Sequence, residues 1–440
     1  MTAIINIIVA SVLIFKCLQT AKGKGLWDSP HERLLVFVLM TGMFATGGYT
    51  LFLNLSAWRL LIWISIVIFA LFLRNNPEYY KPSKTIDLPV LFYSLFLCWC
   101  IYEWTRTPDL MFGLRAFLKL LYPFLILMLA RKASQSHNIF QYLQKIAVAT
   151  LVISIFTSGI SERIPYLVYN PFLKGVFWPR ATFADHAAII IGVILILIYY
   201  KNFSIKIKKR YLLALIWLVL SPLAVGNRTG LLATSAAISG FFFIKYKAKA
   251  IPVILSVFLL GVLIFTSFDS FKKDTFYKTK NVTAGNIYKG NIDFDNINSS
   301  GRFNMWEIVL KKLYSRNKMI GSGLGAQQHE MYIVSKYFGG IKVIHSSYVV
   351  LLCDTGNIGL FLYLMTIASS MIAGVKYAWK GTTKEIKAIG TLVFTSWLAC
   401  LCAMGFDNVL LYALAVNAYP FAFTGMLFGI VNNKEIITNQ

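Results

Sequence analysis

From Leu88 to Trp104 the only charged side chain is Glu103, and apolar runs of this kind recur along the 440 residues. A helix needs roughly 17–25 such residues to cross a hydrocarbon core about 30 Å thick. Runs of that character lie near 2–20, 33–54, 57–73, 88–104, 113–130, 139–159, 187–200, 211–225, 229–244, 251–267, 346–375, 388–405 and 409–431. In lipid the backbone must satisfy its own hydrogen bonds, so these runs are helices. A membrane β-barrel would need short strands of alternating polarity, a pattern the sequence lacks. The expected fold is all-α: a polytopic integral membrane protein with about 12–13 transmembrane helices and one large loop carrying amphipathic helices. Three parts follow from the pattern: a transmembrane bundle over 1–267, the loop over 268–345 and further transmembrane helices over 346–440.

A net charge of +25 would ordinarily raise the question of nucleic acid. The cations instead crowd into alternate loops: Arg74, Lys81 and Lys84; Arg131 and Lys132; Lys201 and Lys206 to Arg210; Lys245, Lys247 and Lys249; Lys376, Lys380, Lys384 and Lys387. That alternation marks the cytoplasmic side of a multi-pass protein, so the expected partner is membrane lipid and no nucleic acid. It also makes the number of crossings odd, leaving 2–20 either a full span or an interfacial helix. The remaining loops, 105–112, 160–186, 226–228, 268–345 and 406–408, then share the opposite face. The six cysteines all lie in apolar stretches and read as small buried hydrophobes, with no disulfide framework and no metal site.

Within the long loop, 278–303 is rich in Asn, Gly and Ser and reads as irregular. After it, Phe303, Trp306, Ile308, Val309, Leu310 and Leu313 recur at helical spacing behind a cap at Ser299 or Ser300, which gives an amphipathic helix on the membrane. Gly321, Gly323 and Gly325 end it. With no strand before them they are a poor phosphate loop and read better as a turn beside a binding cleft.

Polar groups gather where spans meet the non-cytoplasmic face. Arg180, Asp185 and His186 precede one span, and Asp407 follows another. Arg228 sits in a tight turn at a helix N-terminus, where the dipole repels a cation but, together with it, attracts an anion. His345, with Ser346 and Ser347, opens the apolar run 346–375. Asp354 lies nine residues further on, about 14 Å along a helix, too far to orient His345. An intramembrane carboxylate is a functional candidate by default, and an arginine from another helix is its expected partner.

Together these residues resemble the O-antigen ligase and O-antigen polymerase superfamily of bacterial envelope glycosyltransferases. Arg228 and Leu232 match its Arg-x-x-x-Leu; His345, Ser346, Gly356 and Gly359 match its histidine motif. The segment RATFADH from Arg180, and Arg302 with Trp306, Gly321 and Gly323, complete the pattern. Thr182 and His186 stand where many members carry Gly and Asn.

The resemblance implies transfer of a glycan from undecaprenyl pyrophosphate to an acceptor hydroxyl at the periplasmic face of the inner membrane, without metal or other cofactor. The acceptor would be lipid A-core for a ligase, in lipopolysaccharide biosynthesis, or a second lipid-linked repeat for a polymerase; the histidine spacing favours the ligase. Arg180 and Arg228 would stabilise the departing pyrophosphate, and His345 would act as general base. Arg302, Trp306, Asp185, His186 and Ser346 would bind substrate. The Asp293/Asp295 pair has the spacing of a metal-binding Asp-x-Asp but lies in the irregular segment without supporting carboxylates, and reads as solvated loop. A transporter or flippase for the same lipid-linked glycan is the rival reading. It would call for midplane charges and internal repeats, whereas the charges here collect at the rim.

Overall fold

A computed structural model describes residues 35, 87–134, 139–157, 180–224, 228–252, 254–256, 258–259, 302–334, 344–411 and 414–438. The expected spans at 2–20, 33–54 and 57–73, most of 251–267 and the loop through 301 lie outside these residues, apart from Leu35. Among the described residues the chain is all-helical, with no strand. In chain order the helices are α1 (Leu88–Thr105), α2 (Leu110–Ala133), α3 (Ile139–Thr157), α4 (Arg180–Tyr200), α5 (Ile205–Ala224), α6 (Arg228–Tyr246), α7 (Arg302–Val309), α8 (Ala326–Val334), α9 (Ser347–Lys380), α10 (Lys384–Phe406) and α11 (Leu414–Thr438). Four of them, α1, α2, α9 and α10, are long and apolar enough to cross a membrane, and 185–200 forms a shorter apolar helix.

Local chemistry sets the ends. Asp109 accepts the N–H groups of Met111 and Phe112 at 2.8 and 3.1 Å, capping α2, whose last turn carries Arg131 and Lys132 against the negative end of the dipole. Thr383 caps α10 in the same way through the N–H of Ile386.

α10 is the hub. It packs on α4, α6, α9 and α11, and 67% of its apolar window is buried against 33–39% for the other three spans. α2 and α11 pack closely, because Gly425 and Gly429 set the α11 backbone against Leu127 and Arg131; a Cβ at either glycine would stand 2.2 Å from a carbonyl oxygen of α2. Without a hydrophobic drive between helices in lipid, such small-residue contacts hold them together. An aromatic cluster of Tyr93, Phe96, Tyr363, Trp397 and Phe421 fills the space between α1, α9, α10 and α11. Its polar tips are satisfied internally: Tyr93 donates to Leu120 O at 2.7 Å, Tyr363 to Asn417 Oδ1 at 2.8 Å and Trp397 to Thr424 Oγ1 at 3.0 Å.

α7 continues into a π-helical turn, Leu310–Tyr314, that packs on α9. The glycine loop behind it is a wedge. α9 breaks at Gly356 (φ 65°), and the wedge enters the break: Gly321, itself at φ 78°, has room for no Cβ, since one would lie 2.6 Å from Gly356 N and 2.7 Å from Thr355 N. Ser322 N–H donates to Cys353 O, Asn357 N–H to Lys318 O and Ile358 N–H to Met319 O, at 2.9, 2.9 and 3.1 Å, so wedge and broken helix satisfy each other's backbone.

Asp354 completes this junction, and here the expectation of an arginine partner is corrected. Its carboxylate accepts the N–H groups of Gly325 and Gln327, both at 2.9 Å, at the N-terminus of α8. Two backbone donors and a helix dipole supply what an arginine was expected to supply. On the other flank Arg106 donates to both carboxylate oxygens of buried Glu103, at 3.0 and 2.7 Å, and Glu103 O accepts Leu324 N–H.

Candidate active site

α9 and α10 run antiparallel, so the start of one meets the end of the other, and the loops at 345 and 407 come together as their shared face required. Ser346 is the N-cap of α9, its Oγ accepting Val349 N–H at 3.4 Å, which leaves His345 one residue outside the helix. Asp407 is the C-cap of α10. Between them His345 Nδ1 lies 3.2 Å from Asp407 Oδ1, with the imidazole about one-third exposed and the carboxylate buried.

A net of backbone contacts fixes this geometry. Ser347 Oγ donates to Asp407 O at 3.1 Å and accepts Val409 N–H at 3.0 Å; Asn408 Nδ2 donates to Ile344 O at 3.1 Å. Asn408 N–H donates to the same Oδ1 that faces His345, at 2.7 Å. Burial pushes the Asp407 carboxyl up, but the hydrogen bond and charge of His345, aided by Asn408 N–H, outweigh it and hold the group below the ordinary carboxylate range. An ionised Asp407 takes the Nδ1 proton of His345 as its hydrogen-bond partner, and the tautomer so selected puts the basic lone pair on Nε2.

Asp185 comes in from α4, which packs on α10. It is buried, its two oxygens meet no N–H donor among the described residues, and it interacts with the carboxyl group of Asp407 on one side, through charge and a side-chain hydrogen bond, and electrostatically with Arg302 on the other. Arg302 in turn interacts electrostatically with Arg228, the first residue of α6. Burial first, and then the charge of Arg302, lowers the Arg228 guanidinium from its usual value, and two cations held close together make a place for an anion.

Five residues from five elements thus form one continuous charge network: His345, Asp407, Asp185, Arg302 and Arg228. His186, next to Asp185, is buried with its ring 4.8 Å edge-on from Tyr419 and neither ring nitrogen bonded among the described residues. Trp306, one turn after Arg302, stacks edge-on against Phe303 at 5.4 Å, and its buried Nε1 has no acceptor among the described residues. α4 begins at Arg180, about 7.5 Å along the axis from Asp185, while the Arg180 side chain lies outside the described residues. Among the described residues no group of three or more His, Cys, Asp or Glu is placed to hold a metal ion, and Asp293 and Asp295 lie outside them.

The role of Asp407 as the partner of His345 is what reasoning from sequence missed. The signal was present, since loop alternation set 345 and 406–408 on one face, but nothing in the 62-residue separation fixes the pairing.

The chain matches no curated protein. Its residues 213–364 match the family described as O-antigen ligase, a stretch that carries Arg228, Arg302, Trp306, His345 and Ser346 and stops before Asp407. The match covers about a third of the chain and supports its resemblance to the O-antigen ligase and polymerase superfamily of glycosyltransferase-like membrane enzymes.

Proposed function

We propose that the protein transfers a glycan from undecaprenyl pyrophosphate to an acceptor hydroxyl at the periplasmic face of the inner membrane, as an O-antigen ligase acting on lipid A-core. The observation that carries this reading is the 3.2 Å His345–Asp407 contact in the same network as Arg302 and Arg228. A base beside a paired-cation site is what displacement of a pyrophosphate by a hydroxyl requires.

In this reading the acceptor O–H gives its proton to His345 Nε2 as the oxygen attacks the anomeric carbon of the donor sugar. The bond from that carbon to the pyrophosphate oxygen breaks, and its electron pair leaves with the lipid pyrophosphate. Charge grows on the departing oxygen, and Arg228, Arg302 and Arg180 stabilise it through planar, charge-assisted hydrogen bonds. Asp407 holds the imidazole in the accepting tautomer and stabilises the imidazolium that forms. Trp306 would offer a sugar an apolar face and an N–H, while Asp185, His186 and Ser346 would line the polar side.

Deletion of the gene in its host, followed by electrophoresis of surface glycolipids and measurement of the lipid-linked pool, tests the assignment. Loss of long chains from lipid A-core while polymer accumulates on undecaprenyl pyrophosphate supports the ligase. Core bearing a single repeat, with no polymer on either lipid, assigns a polymerase that uses the same donor. Unchanged glycolipids overturn both.

A further inference from the structure

The end of α6 opposite Arg228 carries a second charge cluster that the transfer reaction does not use. α6 is 19 residues long, so the two ends stand about 28 Å apart. At the far end Lys245 Nζ lies 4.1 Å from the Tyr199 ring centroid and 4.7 Å from that of Tyr246. Lys247 Nζ lies 5.5 Å from the ring of Trp379 near the end of α9, and Trp379 Nε1 donates to Ile244 O at 3.0 Å, tying the two helices together. Lys376, one turn back on α9, is exposed with its Nζ 5.3 Å from the Tyr377 ring. None of these three lysines forms an ion pair with a carboxylate among the described residues.

Lys247 is also the only non-glycine residue with positive φ, 53°, among the described residues. A lysine has no stereochemical reason to adopt that conformation, and such strain persists where the surroundings hold it. Here it turns the chain from α6 into the turn Lys247–Ala250 and sets the ammonium over Trp379. A ring face steadies an ammonium without using up its three N–H donors, so the cluster presents cations that no carboxylate neutralises among the described residues.

We propose that this α6–α9 junction binds the headgroup phosphate of an anionic glycerophospholipid. The phosphate meets Lys245, Lys247 and Lys376 while the acyl chains run along exposed apolar residues of the two helices, such as Ile372. Basic sites between membrane helices beside interfacial Trp and Tyr take such headgroups. The site is remote from the charge network, so it stands or falls independently of the glycosyl-transfer reading.

The test is thermal unfolding of the purified full chain in a maltoside detergent, with added cardiolipin, phosphatidylglycerol, phosphatidylcholine or inorganic phosphate. The expected result is a midpoint raised by several degrees with the two anionic lipids and unmoved by the other two. Lys247→Gly, which relaxes the backbone, is expected to keep or raise the midpoint in detergent alone while reducing the anionic-lipid shift at least about twofold; the exposed Lys376→Gln reduces that shift at a constant detergent midpoint. Equal stabilisation by phosphatidylcholine overturns the proposal, as does a full shift with inorganic phosphate, which would make the site one for free anions. A Lys247→Gly protein that is weaker in detergent but keeps its whole lipid increment overturns it too, leaving Lys247 only a helix terminator.

Discussion

Two buried carboxylates sit near the same end of α9, and their surroundings are opposite. Asp354 is held by two backbone N–H groups at 2.9 Å and binds the glycine wedge to the broken helix. Asp185 has neither oxygen met by an N–H donor among the described residues and lies between the carboxyl group of Asp407, with which it shares a hydrogen bond, and an arginine. A satisfied buried charge is a structural joint; an unsatisfied one is a cost that the fold carries for another reason, and active sites are where such costs collect. The wedge region should therefore answer substitution through stability, and the charge network through activity.

The sharpest way to break that division is to fill the wedge. Gly321→Val places a branched side chain at φ 78° and within 2.8 Å of three backbone atoms of α9. Nothing there is a flexible side chain that could move, so the expected loss exceeds about 4 kcal/mol and little folded protein should be recovered. A monodisperse peak at wild-type yield in detergent would show that the wedge is not the joint described.

The next largest effect belongs to the other region. His345→Ala should lower transfer about 10²–10⁴-fold, the range for removing a general base, with yield kept and the melting midpoint only slightly lowered, because the imidazole is one-third exposed and gives up its contact with Asp407. Complementation of a deletion strain, read by gel alongside the amount of protein in the membrane, measures both; full complementation would remove the base from the mechanism.

The two carboxylates themselves give the most direct contrast, because the same isosteric change should cost stability at one and activity at the other. In Asp354→Asn one amide oxygen can accept only part of what two carboxylate oxygens accept, and an NH₂ is turned against a backbone N–H, at a cost of about 2 kcal/mol. In Asp185→Asn the carboxyl group that shares a hydrogen bond with Asp407 becomes an amide that can still donate to it, so the midpoint should move by less than about 1 kcal/mol while transfer falls. Melting midpoints lowered equally in both variants would dissolve the distinction between the regions.

The features readable in the sequence were those governed by periodicity and local chemistry. Spans such as 88–104 and 388–405 appear as α1 and α10 with ends displaced by a few residues, because hydropathy follows the lipid-facing length and helices run on past it. Arg228 at a helix start and Ser346 as a cap follow from neighbours in the chain. What remained hidden was non-local. Gly321, Gly323 and Gly325 show that a turn exists but not that it docks into a break at Gly356, since each glycine's need arises from backbone distant in sequence. Asp354 and Asp407 look alike in a list of intramembrane or rim acids, and only the identity of their donors separates a joint from a functional group.

The smallest expected effect tests the pairing of Asp407 with His345 without any substrate. Asp407 is held below its ordinary range in the folded protein, chiefly by His345 once the opposing effect of burial is overcome, so the unfolded chain binds its proton more readily. Stability from this source is fully present above the unfolded carboxylate value of about 3.9 and is lost as pH falls through the lower folded value. Melting midpoints followed downward from pH 6 should therefore hold through pH 5 and fall only in the acid limb, and Asp407→Asn, which cannot ionise, should show a shallower fall. Should His345→Ala leave that limb as steep as in the wild type, the depression would have to come from Asn408 N–H and the neighbouring Asp185, and the two halves of the proposed dyad would titrate as strangers. A limb flattened equally by Asp407→Asn and His345→Ala would mean that the 3.2 Å contact couples them in solution, which the tautomer argument for the base requires.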